Sequence, residues 1–278
     1  MRKISFVLVL VFLAASAVIA QAQEPGSASQ LSVPAAVRSQ AECTGFIVNP
    51  PVPRDLFVVG GADDDFHSPA RQFVQGESIF ISQHKGGDIA VGSEYNVVRP
   101  AGELFLTRRY QGQGREVGKL GKPYEDVGIV KVTHTNKEGA VARVTLSCGP
   151  ISPGDILVPY QARAIPEYTL SPPLDHFAPL DSNKKQGRIT ASHNNYGFLG
   201  RETVVYLNVG ENEGAKPGQR YRIYKVLPPH TTGFLTEERT PPETIGEAVV
   251  LSVKSKSCVA MVISSYREIS TGDFVEAE

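Results

Sequence analysis

The chain has 278 residues, of which 41% are hydrophobic and 21% are charged, and its formal net charge is −1. These fractions are ordinary for globular proteins, so the sequence predicts a folded chain of one or two domains. The near-zero charge excludes a strongly basic surface, and the nearest basic clusters are the pairs Arg108-Arg109 and Lys184-Lys185. Nucleic-acid binding depends on clustered Lys and Arg that neutralise phosphates, so we expect no nucleic-acid partner.

The N-terminus has the layout of a secretory signal peptide. Two basic residues precede an apolar run over residues 4–19, which ends in the small-x-small pattern Ala-Gln-Ala. Residues 1–22 are therefore predicted to be a signal peptide that is cleaved before Gln23. No apolar run reaches the roughly 18 residues of a spanning helix, so we expect no transmembrane span after cleavage. We predict an exported protein of the periplasm, with outer-membrane or cell-wall association as the alternatives.

Residues 23–53 follow the predicted cleavage site and begin with a stretch rich in Ser, Ala and Gln. This composition predicts a flexible N-terminal tail that leads into the first folded unit.

Three cysteines in an exported chain predict one disulfide and one remaining thiol. Cys258 is in phase with Ala260 and Val262 on one face of a predicted strand, so we expect a buried thiol. Cys43 and Cys148 lie in loop-like contexts and form the candidate disulfide. Their bridge would close a loop of about 100 residues, which the chain-entropy model values at up to about 4–5 kcal/mol.

An internal repeat organises the rest of the chain. Residues 127–157 align without gaps on residues 245–275, and ten of the 31 positions are identical. The alignment superposes ISPGD on ISTGD, and an upstream alignment superposes SIFISQHKGGDIAVGSEYNVVR on the stretch from 202 to 225. The mature chain is therefore predicted to contain two copies of one unit. The copies span residues 54–160 and 187–278, and residues 161–186, with four prolines, form a semi-rigid linker or an ordered strap.

Apolar residues alternate with period two in both copies, as in VVYL, YRIYKV and VAMVIS, which predicts strands. No segment shows a convincing helical period. Glycines mark the turns, and Pro217-Gly218 fits the central positions of a type II turn. The predicted structural glycines are Gly92, Gly154, Gly210, Gly214, Gly218 and Gly272. Closure of short antiparallel sheets hides their edges, so we predict an all-β protein of two tandem small β-barrels or barrel-like sandwiches related by internal duplication.

The second copy, with ETVVYLNVGENEGAKPGQRYRIYK followed by IGEAVVLSVKSKSCVAMVISSYREISTGDFVE, resembles the C-terminal domain of the flagellar assembly protein T family. The first copy, with EVGKLGKPYEDVGIVKV and SCGPISPGD, looks more like related modules of exported bacterial proteins that also carry LysM domains. The resemblance implies a non-enzymatic envelope module, because the flagellar relative is a periplasmic structural component around the motor. The chain shows no recognisable counterpart of that relative's other domains and no LysM pattern.

Candidate catalytic and metal-binding motifs are weak. The acidic run Asp63–Asp65 with His67 lacks the glycine and glutamate of a calcium loop, and the histidines lack zinc-ligand spacing. The glycine-rich run over residues 112–118 follows no clear strand and is predicted to open no helix, so phosphate binding is not expected. We predict neither a cofactor nor a metal.

A cysteine nucleophile would need an activating histidine, and Cys148 could face His134 or His193. The histidine-serine-histidine-glycine-cysteine run of cell-wall transpeptidases is absent from the sequence. A disulfide is therefore a simpler role for Cys148 than catalysis.

One strand of the second copy offers a candidate partner-binding face. Residues Arg220, Arg222 and Tyr224 share a parity opposite to Tyr221 and Ile223, and Tyr and Arg are favoured at protein interfaces. The sequence thus predicts a non-enzymatic exported scaffold or adaptor that binds other envelope proteins. Binding of cell-wall glycan (peptidoglycan) is the alternative, and a cysteine-dependent cell-wall enzyme is a third hypothesis.

Overall fold

The computed structural model describes residues 31–62, 72–83, 89–101, 108–170, 174–226 and 240–278. The predicted signal peptide and the acidic run at 63–65 lie outside these residues. Within them, no helix has the length and apolar character required to cross a membrane.

The segment before the first barrel is folded, in contrast to the flexible tail expected over residues 23–53. From residue 31 onward it forms two short strands and one helix: β1 (Ser32–Pro34), α1 (Arg38–Glu42) and β2 (Phe46–Val48). Ala35, Ala36 and Ala41 are buried against Val249 and Met261 of the second copy. This apolar burial holds the segment in place, and residues 23–30 lie outside the described part.

The first copy is a closed antiparallel barrel of six strands. They are β3 (Leu56–Gly61), β4 (Ser78–Gln83), β5 (Glu94–Pro100), β6 (Lys122–Thr135), β7 (Gly139–Ser147) and β8 (Ile156–Pro159). Their order around the barrel is β6, β5, β8, β3, β4, β7 and back to β6. Strand β2 pairs in antiparallel orientation with the first residues of β6, with Phe46 opposite Tyr124.

A helix interrupts the connection between β5 and β6, although no helical segment was expected. Helix α2 (Gln113–Leu120) arises from the glycine-rich run, which was wrongly expected to open no helix. Val117 and Leu120 are buried at helical spacing, so packing on the second barrel compensates for the low helix propensity of Gly114 and Gly118.

The second copy is also a closed six-stranded antiparallel barrel. After the short strand β9 (Glu167–Thr169), its strands and a small flanking pair follow in chain order. They are β10 (Gln186–Ser192), β11 (Phe198–Leu199), β12 (Val204–Leu207), β13 (Arg220–Lys225), β14 (Glu243–Val253), β15 (Cys258–Ser265), β16 (Ile269–Ser270) and β17 (Phe274–Ala277). The order around the barrel is β14, β13, β17, β10, β12, β15 and back to β14, while β11 pairs with β16.

The two barrels have the same circular strand order when the repeat is used to match them. The alignment places β6, β7 and β8 on β14, β15 and β17, and it places β5 on β13. The remaining strands, β3 and β4, then take the positions of β10 and β12. Equivalent bulges also occur, at Val58/Gly60 and Ile189/Ala191. This shared topology is the arrangement that an internal duplication predicts.

Alternation along the strands fills each barrel with apolar side chains, as period-two patterning requires. The first core includes Val58, Ile79 and Val130. In the second, Tyr221 and Ile223 point inward as predicted, together with the buried thiol of Cys258.

The described residues of 161–186 follow the surface of the second barrel as a strap. Strand β9 pairs with β1, and the backbone N–H of Ala35 donates to the carbonyl of Pro166. Farther along, the backbone N–H of Thr244 donates to the carbonyl of His176 at 2.7 Å. Residues 171–173 lie outside the described part of the strap.

Candidate functional site

The disulfide predicted from the sequence is present. Cys43, directly after α1, is bonded to Cys148, directly after β7, with 5.4 Å between their Cα atoms. The bridge ties the lead-in segment to the first barrel. It also leaves Cys148 without the free thiol that the catalytic hypothesis needs. Cys258 is a free thiol, but its burial raises its pKa, which disfavours the reactive thiolate.

A buried ion pair joins the lead-in, the first barrel and the start of the strap. Arg163 donates to both oxygens of Asp126, at 2.7 and 2.8 Å, and to the hydroxyl of Thr44. The backbone N–H of Gly45 donates to the same carboxylate at 2.7 Å. Because the carboxylate of Asp126 accepts the hydrogen bonds from both Arg163 and Gly45, Asp126 holds the three segments of chain together.

Two basic groups near this ion pair have lowered pKa values. Burial lowers the pKa of His193, whose Nδ1 lies 3.4 Å from the hydroxyl oxygen of Tyr206. Burial also lowers the pKa of Lys254, and the neighbouring charge of Arg163 adds to the effect. His134, the other histidine considered beside Cys148, lies at the far end of β6. The two histidines therefore do not share a site.

Among the described residues, no three His, Cys, Asp or Glu side chains are grouped in a way that could hold a metal ion.

The predicted glycines are turn residues with one exception. Gly92, Gly154, Gly214, Gly218 and Gly272 have positive φ angles. Gly210 is instead extended, with φ of −134°. A Cβ atom there would lie 2.5 Å from the carbonyl oxygen of Lys254, so glycine permits a close backbone approach at this position.

The predicted partner-binding face of β13 is covered by the protein itself, which corrects that expectation. Arg222 donates to the carbonyls of Ala178 and Pro179 in the strap and pairs with Glu276. Arg220 pairs with Glu247 and with Glu278 at 3.1 Å. The ring of Tyr224 is buried and stacks on that of Phe274, with 5.6 Å between centroids.

The barrels meet through one outer face of the second barrel. Ala191, Tyr206 and Val259 lie side by side on strands β10, β12 and β15. Val117 and Leu120 of α2 and Ile47 of β2 cover them, forming one buried apolar cluster.

Polar contacts at the edges of this cluster fix the same geometry. The hydroxyl of Tyr206 donates to the carbonyl of Thr44 at 2.7 Å, and burial raises its pKa. The side-chain amide of Gln113 in α2 donates to the carbonyl of Thr190 at 2.9 Å. We call the surface Ala191–Tyr206–Val259 the covered face.

The first barrel carries an equivalent face that is open. Gly60 pairs with Phe80, and Phe80 pairs with Val141, in the same register as Ala191, Tyr206 and Val259. We call this row, with the bulge residue Val59, the open face. Phe80 is 44% exposed and Val59 is 52% exposed, whereas Tyr206 is only 1% exposed.

A shallow groove lies along the open face. Its walls include Val59, Phe80 and Val141, and the β6–β7 hairpin contributes polar groups such as His134 and Glu138. An apolar centre with a polar rim is the usual composition of a protein-binding surface. The sequence did not predict this face, because Phe80 has the pattern of an ordinary strand residue. The available signal was the alignment of Phe80 with Tyr206 of the other copy.

A second groove separates α1 from the loop between β10 and β11. Ser39 and Gln40 line one side, and His193, Asn194 and Tyr196 line the other. Tyr196 is 53% exposed, and Asn194 has a φ of 61°. The groove thus presents amide, hydroxyl and aromatic groups together.

No family model matches the chain, and a search of curated proteins finds none with significant similarity.

Proposed function

We propose that the protein is an exported, non-enzymatic scaffold or adaptor of the bacterial cell envelope that binds other envelope proteins through the open face. The observation that carries the proposal is the difference between two equivalent surfaces. The covered face shows that this position of the barrel binds an apolar segment of protein, since α2 and β2 occupy it. The open face offers Phe80 and Val59 at the corresponding place.

Export is supported by the disulfide between Cys43 and Cys148, because such bonds persist in oxidising compartments. The signal-peptide layout of residues 1–22 supports the same assignment, with the periplasm as the compartment. The resemblance to the flagellar assembly protein T family agrees with a structural role in the envelope. The proposed role is that of an envelope module in general and does not include a part in the flagellum.

Site-specific photocrosslinking in the cell tests the proposal. A photoreactive phenylalanine analogue replaces Phe80, and in the control it replaces Val91, which is 63% exposed on a turn of the same barrel. We expect a discrete crosslinked protein from position 80 and none from position 91. Equal or absent crosslinking at the two positions would contradict a docking role.

The groove between α1 and Tyr196 favours a second candidate function, binding of peptidoglycan. Aromatic faces and neighbouring amides are suited to sugar rings and their hydroxyls. Sedimentation of the mature chain with purified cell wall tests it, with Tyr196→Ala as the variant and Phe198→Ala as the control. Phe198, two residues farther on in β11, is 73% exposed but does not line the groove. Loss of sedimentation for Tyr196→Ala alone would support glycan binding, whereas no sedimentation of the parent chain would exclude it.

A further inference from the structure

The covered face is filled by a long connection of the neighbouring barrel. In the first barrel the connection between β5 and β6 spans residues 101–121, far more than the two to five residues of a usual hairpin loop. Its described part carries α2, which packs on the covered face of the second barrel. The extra length of this connection therefore serves to bind the next barrel.

The second barrel has an equally placed long connection. Strands β13 and β14 are neighbours, and Lys225 pairs with Glu243, so a short turn could join them. The chain instead inserts residues 226–242, of which 227–239 lie outside the described part.

The two connections are also related in sequence. Each contains the tripeptide Phe-Leu-Thr, which begins five residues beyond β5 at 105–107 and nine residues beyond β13 at 234–236. The first precedes α2 by only a few residues. A tripeptide shared by the two equivalent connections is consistent with their duplication.

We propose that the open face of the first barrel binds the 226–242 connection of a second copy of this chain. The inference rests on the proposed function, since it takes the envelope protein bound at the open face to be another molecule of this chain. It repeats between molecules the contact that the first barrel already makes with the second within one molecule. The resulting interface is heterologous: one copy contributes Phe80 and Val59, and the other contributes its connection.

Sedimentation equilibrium of the oxidised chain from residue 23 onward tests this proposal. Two half-defective variants are used: Phe80→Asp, and a chain in which an Asn-Gly turn replaces residues 226–242. Because Phe80 is exposed and β13 and β14 pair up to Lys225, both variants retain the barrels, which circular dichroism verifies. Val91→Asp is the control for an added surface charge.

We expect the parent chain and Val91→Asp to self-associate with increasing concentration. Each half-defective variant alone should associate at least about tenfold more weakly, as expected for loss of a central interface residue or its partner. An equimolar mixture of the two should form a one-to-one dimer, because each retains the half that the other lacks.

A parent chain that stays monomeric, or a mixture that does not pair, would overturn the proposal. Photocrosslinking at position 80 separates this failure from failure of the scaffold function. A crosslink to a different protein, with a monomeric parent chain, would retain the scaffold and exclude the second copy. Absence of any crosslink would exclude both.

Discussion

Asp155 and Asp273 hold the same position in the two barrels and make the same backbone contact. Asp155 accepts the N–H of Ser152 and Asp273 accepts the N–H of Ser270, both at 2.7 Å. A cation on the equivalent strand faces each carboxylate. Arg99 pairs with Asp155 at 2.7 Å, and Lys225 lies 3.6 Å from Asp273.

Replacing each aspartate by alanine should destabilise both barrels, but unequally. Asp155→Ala removes two charge-assisted bonds from Arg99 as well as the turn bond, so we expect a loss of about 3 kcal/mol. Asp273→Ala removes a longer lysine contact and should cost about 1–2 kcal/mol. Denaturant titration of the two variants measures the difference, and equal losses would contradict the assigned role of Arg99.

Asp273 should also give the second barrel a pH-dependent stability. Burial raises its pKa above the ordinary 3.8. Because the folded state then binds the proton more tightly than the unfolded state, this group's contribution is complete below pH 3.8 and is lost as the pH rises through the raised value. We expect the free energy of unfolding of Asp273→Asn to increase relative to that of the parent as the pH rises through this range. A difference that does not change with pH in this window would refute the assignment.

The ion pair of Asp126 and Arg163 should matter far more than an exposed one. The side chain of Asp126 is 2% exposed, and Asp126→Ala leaves Arg163 without its main partner, for an expected loss of about 3–5 kcal/mol. The matched control is Lys131→Ala, which breaks an exposed pair with Glu94 and should cost less than about 0.5 kcal/mol. Thermal unfolding of the two variants compares them, and similar shifts would argue against a structural centre at Asp126.

The disulfide should stabilise the folded chain by up to about 4–5 kcal/mol, since it closes a long loop in the unfolded state. Unfolding of the Cys43→Ala/Cys148→Ala variant against the oxidised parent measures this. Thiol labelling provides the companion test. The native oxidised protein should not react with a thiol reagent, because Cys258 is buried. The unfolded oxidised protein should be labelled once, at Cys258, and the unfolded reduced protein should be labelled at all three cysteines. Labelling of Cys148 without reduction would contradict the bridge.

Two glycines should respond to alanine in opposite directions. At Gly246 a Cβ atom would lie 2.5 Å from the carbonyl oxygen of Ser264, so Gly246→Ala should destabilise by about 1–3 kcal/mol. At Gly118 in α2 nothing lies within 4 Å, and alanine should stabilise the helix by about 0.5–1 kcal/mol. Melting temperatures report both signs, and a stable Gly246→Ala variant would show that this part of the strand pair can move apart.

The repeat predicted the two barrels because period-two strands and aligned turn glycines are local signals. The disulfide was also predictable, since Cys258 alone lies in phase with a strand core. The burial of Arg222 was not: parity places it outside the barrel, but only the path of the strap decides what covers it. Helix α2 was missed because its glycines weaken the local signal and its stability depends on contacts with Ala191 and Val259.

The open face needed a comparison between copies to be found. Phe80 and Tyr206 are similar residues at equivalent positions, and no single-strand pattern distinguishes the exposed one from the buried one. The difference in exposure between Phe80 and Tyr206 comes from a distant segment, the connection carrying α2, which covers Tyr206. Only the tertiary structure determines which barrel this connection packs on.

The placement of the cysteines has a consequence for the order of events during the proposed export. Both partners of the bridge, and all six strands of the first barrel, lie before residue 160. Cys258 lies almost a hundred residues farther on. In the export proposed above, a chain that emerges N-terminus first brings Cys43 and Cys148 together before Cys258 follows, so the order of emergence favours this bridge over pairs with Cys258.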